Sequence, residues 1–249
     1  MKLRDADSIM VPFGKFLFKY RDALFPITLA GIALAARPVA FLGDPALDPV
    51  LDAAGIAVAC AGQALRVITI GFAYVKRGGK DKHVYADHLV QDGVFAHSRN
   101  PMYVGNLLVI AGFALIHNSP WFYGVGLPFF LFAYLCIVAA EEAFLRTEFG
   151  ETFDAYCNRV NRFLPSLRGI SHTLGAMTFD WRRVVRKEYG TLFTFLTCLL
   201  GLLALEWLSF AGYEPSKARL AILGALWAAG LCAWATARIM KKKRLLGSD

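Results

Sequence analysis

The sequence has little charge for its length. Charged residues make up 18% of its 249 residues, whereas apolar residues make up 57% and aromatic residues 14%. The mean hydropathy is +0.46. A soluble domain of this size needs far less apolar material, so the composition excludes an ordinary soluble protein and predicts an integral membrane protein.

The sequence also lacks any cluster of cysteines. Its five cysteines are dispersed, four of them in apolar stretches, and they form no Cys-x-x-Cys or Cys/His group. This spacing predicts neither a disulfide framework nor a metal site, and we expect the cysteines to fill space as small apolar side chains. No cleavable signal peptide is expected, because charged residues interrupt every apolar run between Met1 and Lys19.

Six long stretches of the chain are predominantly apolar, and most are close to the roughly 20 residues that an α-helix needs to cross a bilayer. They are Leu24 to Gly43, Ala53 to Val75, Tyr103 to His117, Trp121 to Ala140, Thr191 to Phe210 and Arg219 to Ala237. The pattern predicts an all-α polytopic membrane helix bundle of about six transmembrane helices in three hairpins. The third stretch has only 15 residues, so we expect its polar entrance to lie within the membrane.

Basic residues are missing from one set of connections and concentrated in the other. The connections at 44–52 and 117–120 have none, whereas residues 1–21, 76–100 and 238–244 have five each and residues 141–187 have eight. Because positive charge is retained on the cytoplasmic side, both termini and both long loops are predicted to face the cytoplasm of a cell inner membrane. This topology and contact with anionic lipid headgroups explain the excess of 27 Lys and Arg over 19 Asp and Glu without any nucleic acid.

Local signals indicate where helices begin and bend. Asn100 and Pro101 are typical of a helix start, with Asn100 as the cap and free backbone N–H groups nearby that suit an anion. Pro128 is expected to kink the fourth stretch. Val94 to Ala96 is predicted to be a short extended piece that follows a turn.

Two adjacent carboxylates, Glu141 and Glu142, follow the fourth apolar stretch. After them, apolar residues recur every three or four positions, which predicts a cytoplasmic amphipathic helix broken near Gly150. Carboxylates at the C-terminal end of a helix are more often solvated than functional, since the helix dipole repels them. Their position directly after a long apolar span favours the functional alternative.

Two blocks of residues carry a family resemblance. The first is Gly93-Val94-Phe95 with Arg99-Asn100-Pro101-Met102-Tyr103-Val104-Gly105, and the second is Glu141-Glu142 with Leu145, Phe149-Gly150-Glu151, Tyr156, Val160 and Pro165. Over about residues 55–165 they resemble the isoprenylcysteine carboxyl methyltransferase and phospholipid methyltransferase superfamily of integral membrane methyltransferases. Asn100 stands where the superfamily pattern has a histidine, so a hydrogen-bonding side chain is kept and a titratable one is lost.

The resemblance implies methyl transfer from S-adenosylmethionine in a pocket on the cytoplasmic face. By position, it assigns cofactor contacts to Asp87, His88, Leu89, Val90, Phe95, Asn100, Pro101, Met102, Tyr103 and Glu141. These residue types fit a cofactor whose carboxylate needs N–H donors, whose ammonium needs an acidic group and whose adenine needs an apolar or aromatic slot. We expect Asn100 and the helix start to meet the first need and Glu141 the second. Phe95 and Tyr103 would meet the third.

The acceptor in this interpretation is a lipid or a small amphipathic molecule. In the isoprenylcysteine members an arginine one turn before the glutamate pair is expected to bind the substrate carboxylate, and Ile137 occupies the matching position here. Arg66 on the second span is one candidate replacement, with extension to the lipid headgroups as its alternative. Arg99 is a candidate for holding a lipid phosphate or for supporting its own loop. Glu142 and His97 are candidates for the base that deprotonates the acceptor, although a single surface histidine is more often solvated.

Three other functions stay open. One is an isoprenylcysteine-type carboxyl O-methyltransferase. Another is a non-enzymatic scaffold or transporter, which should have ionisable residues facing one another in mid-membrane and inverted repeats, and neither is evident in the sequence. The third is a reductase related to the sterol reductases, although no Gly-x-Gly-x-x-Gly fingerprint occurs.

The predicted organisation has three parts. Residues 1–50 form an N-terminal segment with the first span, and residues 51–168 form the methyltransferase core with its cytoplasmic cofactor pocket. Residues 169–249 form a linker and a C-terminal transmembrane hairpin.

Overall fold

The computed structural model describes residues 3–72, 77–80, 83–86 and 88–247, with side chains for 9–72 and 88–247. The described elements are α1 (Leu3–Ala35), α2 (Asp48–Phe72), β1 (Arg77–Lys80), β2 (His83–Ala86), α3 (Pro101–His117), α4 (Leu127–Arg159), α5 (Ile170–Gly175), α6 (Trp181–Ala211) and α7 (Tyr213–Lys242). Short 3-10 turns lie at Phe41–Gly43 and Gly93–Ala96, and a π-helical turn at Phe122–Gly126 leads into α4. The predicted helix bundle is confirmed. The antiparallel β1–β2 hairpin was not predicted from the sequence.

Four helices of the described part are long and apolar enough to cross a membrane. They are α2, the continuous helix from Phe122 to Arg159 that contains α4, α6 and α7. α3 is a shorter apolar helix of 17 residues, in keeping with its short apolar stretch. α1 carries the first predicted span, but Lys19, Arg21 and Asp22 leave only residues 23–35 uncharged before the helix ends.

The first predicted span is wrong in its bounds. Leu24 to Gly43 does not form one helix, because α1 ends at Ala35 and extends in the other direction as far as Leu3. Pro38 accounts for the early end, since a proline ring disfavours the helical conformation of the residue before it. About the first two thirds of α1, residues 3–23, therefore lie outside the apolar stretch.

Glycines bring α2 and α3 into backbone contact. A Cβ added to Gly62 would lie 2.4 Å from the carbonyl oxygen of Gly105, and one added to Gly55 would lie 2.7 Å from that of Gly112. No side chain fits at such distances, so small residues are required at both crossings. This close approach is the physical reason for the glycine that ends the Arg99 to Gly105 motif.

The helix from Phe122 to Arg159 departs from a regular α-helix at two places, next to Pro128 and at Gly150, where the sequence predicts a kink and a break. The π-helical turn ends at Gly126, just before Pro128, whose ring nitrogen has no N–H for the helical ladder. Gly150 breaks the helix with φ 50° and ψ −126°. After this break the chain turns back, and Leu145, Phe153 and Tyr156 form a small buried cluster.

The segment from Val94 to Ala96 is helical, so the prediction of an extended piece was wrong. Gly93 begins the turn with a positive φ of 62°. The N–H of Phe95 then donates to the carbonyl of Asp92, and the N–H of His97 to that of Val94, both at 3.2 Å. These local hydrogen bonds satisfy the backbone where an extended piece would need a partner strand.

α6 lies antiparallel to α2 and begins at a capped end. Asp180 accepts a hydrogen bond from the backbone N–H of Arg183 at 3.0 Å, and this contact lowers the pKa of Asp180. Its own N–H donates to the carbonyl of Gly71 at 2.9 Å. α7 packs mainly against α6. The last two helices are therefore a hairpin that is joined to the rest of the bundle through α6.

Candidate active site

Glu141 lies in a buried contact between three helices. The hydroxyl of Tyr103, on α3, donates to Oε1 of Glu141, on α4, at 2.5 Å. A guanidinium nitrogen of Arg21, on α1, donates to the same hydroxyl at 3.0 Å. Glu141 is 7% exposed, so it is not a solvated carboxylate at a helix end.

Arg21 is a site residue that the sequence analysis counted only as topogenic charge. Burial opposes the charge on Arg21, but nearby Tyr103 and Glu141 outweigh this effect, and the pKa of the guanidinium is raised. The guanidinium also stacks over the ring of Phe18 at 4.2 Å from its centroid. In the sequence, Arg21 is visible only as a cation just before an apolar stretch. Such a position does not identify Tyr103 as its partner.

Glu142 faces away from this contact and binds two arginines. Nε of Arg162 donates to both oxygens of Glu142 at 3.1 Å, and a terminal nitrogen of Arg162 contacts it as well. Arg99 lies 3.2 Å from Oε1 of the same carboxylate. Both oxygens of the Glu142 carboxylate are therefore held by guanidinium groups. This geometry favours a positioning role for Glu142 over that of a base.

Arg99 supports the loop in which it lies. It donates to the carbonyl of Cys157 at 3.0 Å, and its backbone N–H donates to the carbonyl of Asn161 at 3.0 Å. Its buried Nε has no hydrogen-bond partner among the described residues. Arg99 therefore fixes one segment on the other and still presents one unsatisfied donor, which is unusual for a buried polar group.

Asn100 occupies the cap position of α3 without capping it. Its side-chain nitrogen donates to the carbonyl of Arg162 at 3.0 Å, and no cap hydrogen bond from the side chain forms. Its backbone carbonyl accepts from Tyr103 and Val104 at 3.0 and 3.1 Å, and Pro101 takes the first helical position. The predicted helix start is confirmed, but the side chain joins two loops where a cap was expected.

His97 is a buried structural link between segments. Its Nδ1 lies 2.7 Å from the carbonyl oxygen of Ser166, and its Nε2 lies 2.9 Å from the hydroxyl of Thr173. A carbonyl only accepts, so Nδ1 carries the proton and Nε2 accepts from the threonine. Both ring nitrogens of His97 are engaged in hydrogen bonds. This arrangement fits neither of the two roles predicted for His97, a solvated surface histidine or a base that deprotonates the acceptor.

The other predicted cofactor residues fall into a second group around Tyr156. Phe95 is buried, and its carbonyl accepts from the Tyr156 hydroxyl at 2.8 Å. Leu89 packs against the cluster that contains Phe153. Of the rest, Val90 and Met102 are half-buried, His88 is exposed and Asp87 lies outside the described residues.

A cavity of about 340 Å³ adjoins this second group. It is lined by Gln91, Asp92, Ala96, Tyr156, Arg159 and Val160. Its lining thus follows Val90 and Phe95 directly in sequence, but it includes neither Tyr103 nor Glu141. The predicted cofactor residues therefore form two groups. One is the polar contact between Tyr103 on α3 and Glu141 on α4. The other is the group around Tyr156, beside the cavity.

Arg66 is committed to a partner that the sequence did not suggest. It binds Glu188 of α6 through two nitrogens at 2.6 and 3.1 Å, and it donates to Oδ1 of Asn106 at 2.6 Å. Glu188 is 2% exposed and also accepts from Gln63. Ionisable side chains do therefore face one another between helices, contrary to the impression from the sequence. Ile137, at the position of the expected arginine, is fully buried against α1.

The chain was compared with known protein families, curated proteins and solved structures. A family model described as phospholipid methyltransferase matches residues 53–152, which are 100 of the 249 residues. No curated protein and no solved structure matches the chain. The matched region contains the Arg99 to Gly105 motif and the glutamate pair, but not α1, α6 or α7. Over residues 53–152 the chain is therefore similar to the phospholipid methyltransferase family, in keeping with the resemblance that the motifs carry.

Proposed function

We propose that the protein is an S-adenosylmethionine-dependent membrane methyltransferase that acts on a lipid or amphipathic acceptor at the cytoplasmic membrane face. The observation that carries the proposal is the buried contact of Tyr103 with Glu141 inside the family region. Glu141 is a buried carboxylate that accepts a hydrogen bond from Tyr103. An acidic group of this kind suits the ammonium group of the cofactor.

The described residues fit this cofactor. Glu141 provides the acidic group for the ammonium, and the unsatisfied Nε of Arg99 is a buried donor for the carboxylate. Phe95 and Tyr156 provide a buried aromatic cluster for adenine. The cavity of about 340 Å³ beside that cluster lies at the lower end of the roughly 300–1,000 Å³ range of small-molecule sites.

The protein's part in the reaction is to position the groups and to exclude water. When bound, S-adenosylmethionine supplies a methyl group on a positively charged sulfur, which is already electrophilic. Tyr103 and Glu141 are 9% and 7% exposed, so the polar contact is kept from bulk water. Arg99 holds the loop before α3 on Glu142 of α4. Alignment of acceptor and methyl group in a rigid, dry site accounts for rate acceleration without an added acid or base.

The acceptor is a lipid in this proposal. The description of the matching family names phospholipids. The isoprenylcysteine alternative needs a cation for the substrate carboxylate, and both positions considered for it are unsuitable. Ile137 is buried and apolar, and Arg66 already binds Glu188.

The Arg66–Glu188 pair is the observation that favours a transporter. Its guanidinium contacts one carboxylate and one amide, and Gln63 donates to the same carboxylate. A pair satisfied in this way is typical of a fixed structural contact between helices. Cofactor binding separates the two functions.

The test combines binding and product analysis. Purified protein in detergent is titrated with S-adenosylmethionine by calorimetry, and is then incubated with methyl-labelled cofactor and total membrane lipid. We expect one binding site and a labelled lipid identified by mass spectrometry. Folded protein that binds neither the cofactor nor its demethylated product contradicts the proposal, and binding of a nicotinamide dinucleotide instead favours the reductase alternative.

A further inference from the structure

Arg21 differs from the other arginines around the site in what it binds. Arg66 pairs with Glu188, and Arg99 and Arg162 both pair with Glu142. Arg21 donates to a neutral hydroxyl, that of Tyr103. Among the described residues its ion-pair partner is Asp22, at the long distance of 3.8 Å and with a side chain that is 99% exposed.

The Arg21 side chain is accessible as well as charged. It is 30% exposed, whereas the side chains of Arg66 and Glu188 are 8% and 3% exposed. Among the described residues, one guanidinium nitrogen of Arg21 donates a hydrogen bond, to Tyr103. A guanidinium can bind phosphate or carboxylate in a planar, two-pronged contact. Arg21 also lies two residues before the uncharged stretch 23–35 of α1. A basic residue at the end of an apolar segment suits the level of the lipid headgroups.

An apolar groove begins one helical turn further along α1. It encloses about 110 Å³ and is lined mainly by apolar side chains of α1, α3 and α6, among them Phe25, Leu29, Ile110, Phe113 and Phe195. This volume is below the roughly 300 Å³ lower limit of sites that enclose a whole small molecule, so it suits a segment of a hydrocarbon chain. Of the helices that line the groove, α6 is long and apolar enough to cross a membrane and α3 is a shorter apolar helix.

Aromatic side chains connect the groove to the polar contact. Tyr134 lines the groove, and its ring centroid lies 5.5 Å from that of Tyr103. Tyr103 in turn joins Arg21 to Glu141. A cation, the proposed transfer site and an apolar groove therefore follow one another within contact distance.

We propose that Arg21 binds the anionic group of the acceptor lipid while part of the lipid chain occupies the groove beside Phe25 and Leu29. The inference rests on the proposed function, because it names the recognised part of that acceptor. It assigns acceptor recognition to α1, which lies outside the family region at 53–152. The shared chemistry is a phosphate or carboxylate on an apolar chain, and the test distinguishes the two.

The test measures binding without turnover. Purified protein in a neutral detergent is titrated with dihexanoyl phosphatidic acid, with uncharged dihexanoylglycerol, with a farnesylated cysteine analogue and with inorganic phosphate. Arg21→Gln should weaken phosphatidic acid binding about tenfold or more and leave dihexanoylglycerol binding unchanged. Lys19→Gln removes an exposed cation from the same helix and should have no effect. Arg21→Lys should restore part of the affinity, and Val109→Phe, which narrows the groove, should weaken both dihexanoyl lipids.

The arms separate this inference from its alternatives. Binding of the farnesylated analogue in preference to phosphatidic acid assigns a carboxylate to Arg21, and equal binding of inorganic phosphate overturns the role of the groove. If Arg21→Gln changes only the affinity for S-adenosylmethionine, Arg21 positions Tyr103 and the inference is wrong. If wild-type protein binds no cofactor but still binds phosphatidic acid through Arg21, the proposed function fails while this site stands.

Discussion

Glu141 offers both a negative charge and a hydrogen-bond acceptor. One substitution distinguishes the contribution of the charge to cofactor binding from that of the acceptor. Glu141→Gln keeps an oxygen for the Tyr103 hydroxyl but loses the charge that would face the cofactor ammonium. We expect cofactor binding to weaken by about 1.5 to 3 kcal/mol, the range of a hydrogen bond to a charged group. Calorimetry with S-adenosylmethionine measures the change.

Glu151→Gln is the matched control for this experiment. Glu151 lies on the same helix just past the break at Gly150, and its side chain is exposed. Its substitution should leave cofactor affinity unchanged. Equal losses from both variants would mean that the general negative charge of this region, and not the Glu141 position, determines binding.

Arg66 and Glu188 are expected to act on stability. Arg66→Ala leaves the Glu188 carboxylate buried without its ion-pair partner, which costs about 3–5 kcal/mol of the free energy of unfolding. The double variant Arg66→Met with Glu188→Leu removes both charges and should be more stable than Arg66→Ala alone. Thermal unfolding in detergent measures both.

An exposed ion pair on α4 provides the comparison. Arg146 and Asp154 are 2.8 Å apart with about half of each side chain exposed, so Arg146→Ala should cost less than about 1 kcal/mol. If the Arg66→Ala protein is stable and binds the cofactor normally but has lost affinity for the acceptor, Arg66 binds the acceptor and is not a structural residue.

Site residues could be predicted from the sequence where they belong to a contiguous motif. The Arg99 to Gly105 motif and the glutamate pair are contiguous in sequence, and their juxtaposition through Tyr103 and Glu141 followed from the resemblance. Arg21 and Glu188 were missed because their partners are 82 and 122 residues away in the chain. No periodicity or spacing identifies such a pair, and only packing brings it together.

At the scale of elements, the α2–α3 pair sets the position of the motif. A Cβ on Gly62 would meet the carbonyl oxygen of Gly105, and one on Gly105 would also lie 2.8 Å from Cγ of Arg66. Gly62→Ala must therefore push α3 away from α2, at about 1–3 kcal/mol of stability. Because Tyr103 lies on the first turn of α3, cofactor affinity should fall as well.

The control for this substitution is a glycine in open space. Nothing lies within 4 Å of a Cβ added to Gly201, in the middle of α6. Gly201→Ala should be neutral or stabilise the protein by about 0.5–1 kcal/mol, since alanine restricts the unfolded chain and favours helix. Thermal unfolding of both variants tests the difference, and identical behaviour would mean that the helices are not in backbone contact at Gly62.

Element boundaries were predictable where proline or glycine interrupts the backbone. The bends at Pro128 and Gly150 and the start at Pro101 follow from missing N–H groups or a positive φ. The extended piece at Val94 to Ala96 was wrong because a turn can continue as a 3-10 helix without any change in composition. The end of α1 before Pro38 was available in the sequence but was outweighed by the apolar run around it.

For the whole molecule, α6 and α7 are attached to the matched region through contacts near both ends of α6. Near one end, Arg66 of α2 binds Glu188. Near the other, the buried carboxyl groups of Asp52 on α2 and Glu206 on α6 lie beside one another. These two buried polar contacts specify one alignment of α6 on α2, which gives the C-terminal hairpin a defined place beside the apolar groove.

The distribution of basic residues predicts which side of the membrane each connection of the bundle faces. Residues 141–187 carry eight basic residues and the connection at 44–52 carries none, so the first should face the cytoplasm and the second the opposite side. Ser166→Cys and Ala46→Cys place a thiol at an exposed position in each region. In a background without the five native cysteines, a membrane-impermeant reagent should label Ala46→Cys in intact cells and Ser166→Cys only in inverted vesicles. Retained cofactor binding controls for folding. The reverse pattern would place the Tyr103–Glu141 contact on the wrong side for a cytoplasmic cofactor and overturn the orientation, whereas labelling of both positions from one side would mean that α1 and α2 do not form a membrane hairpin.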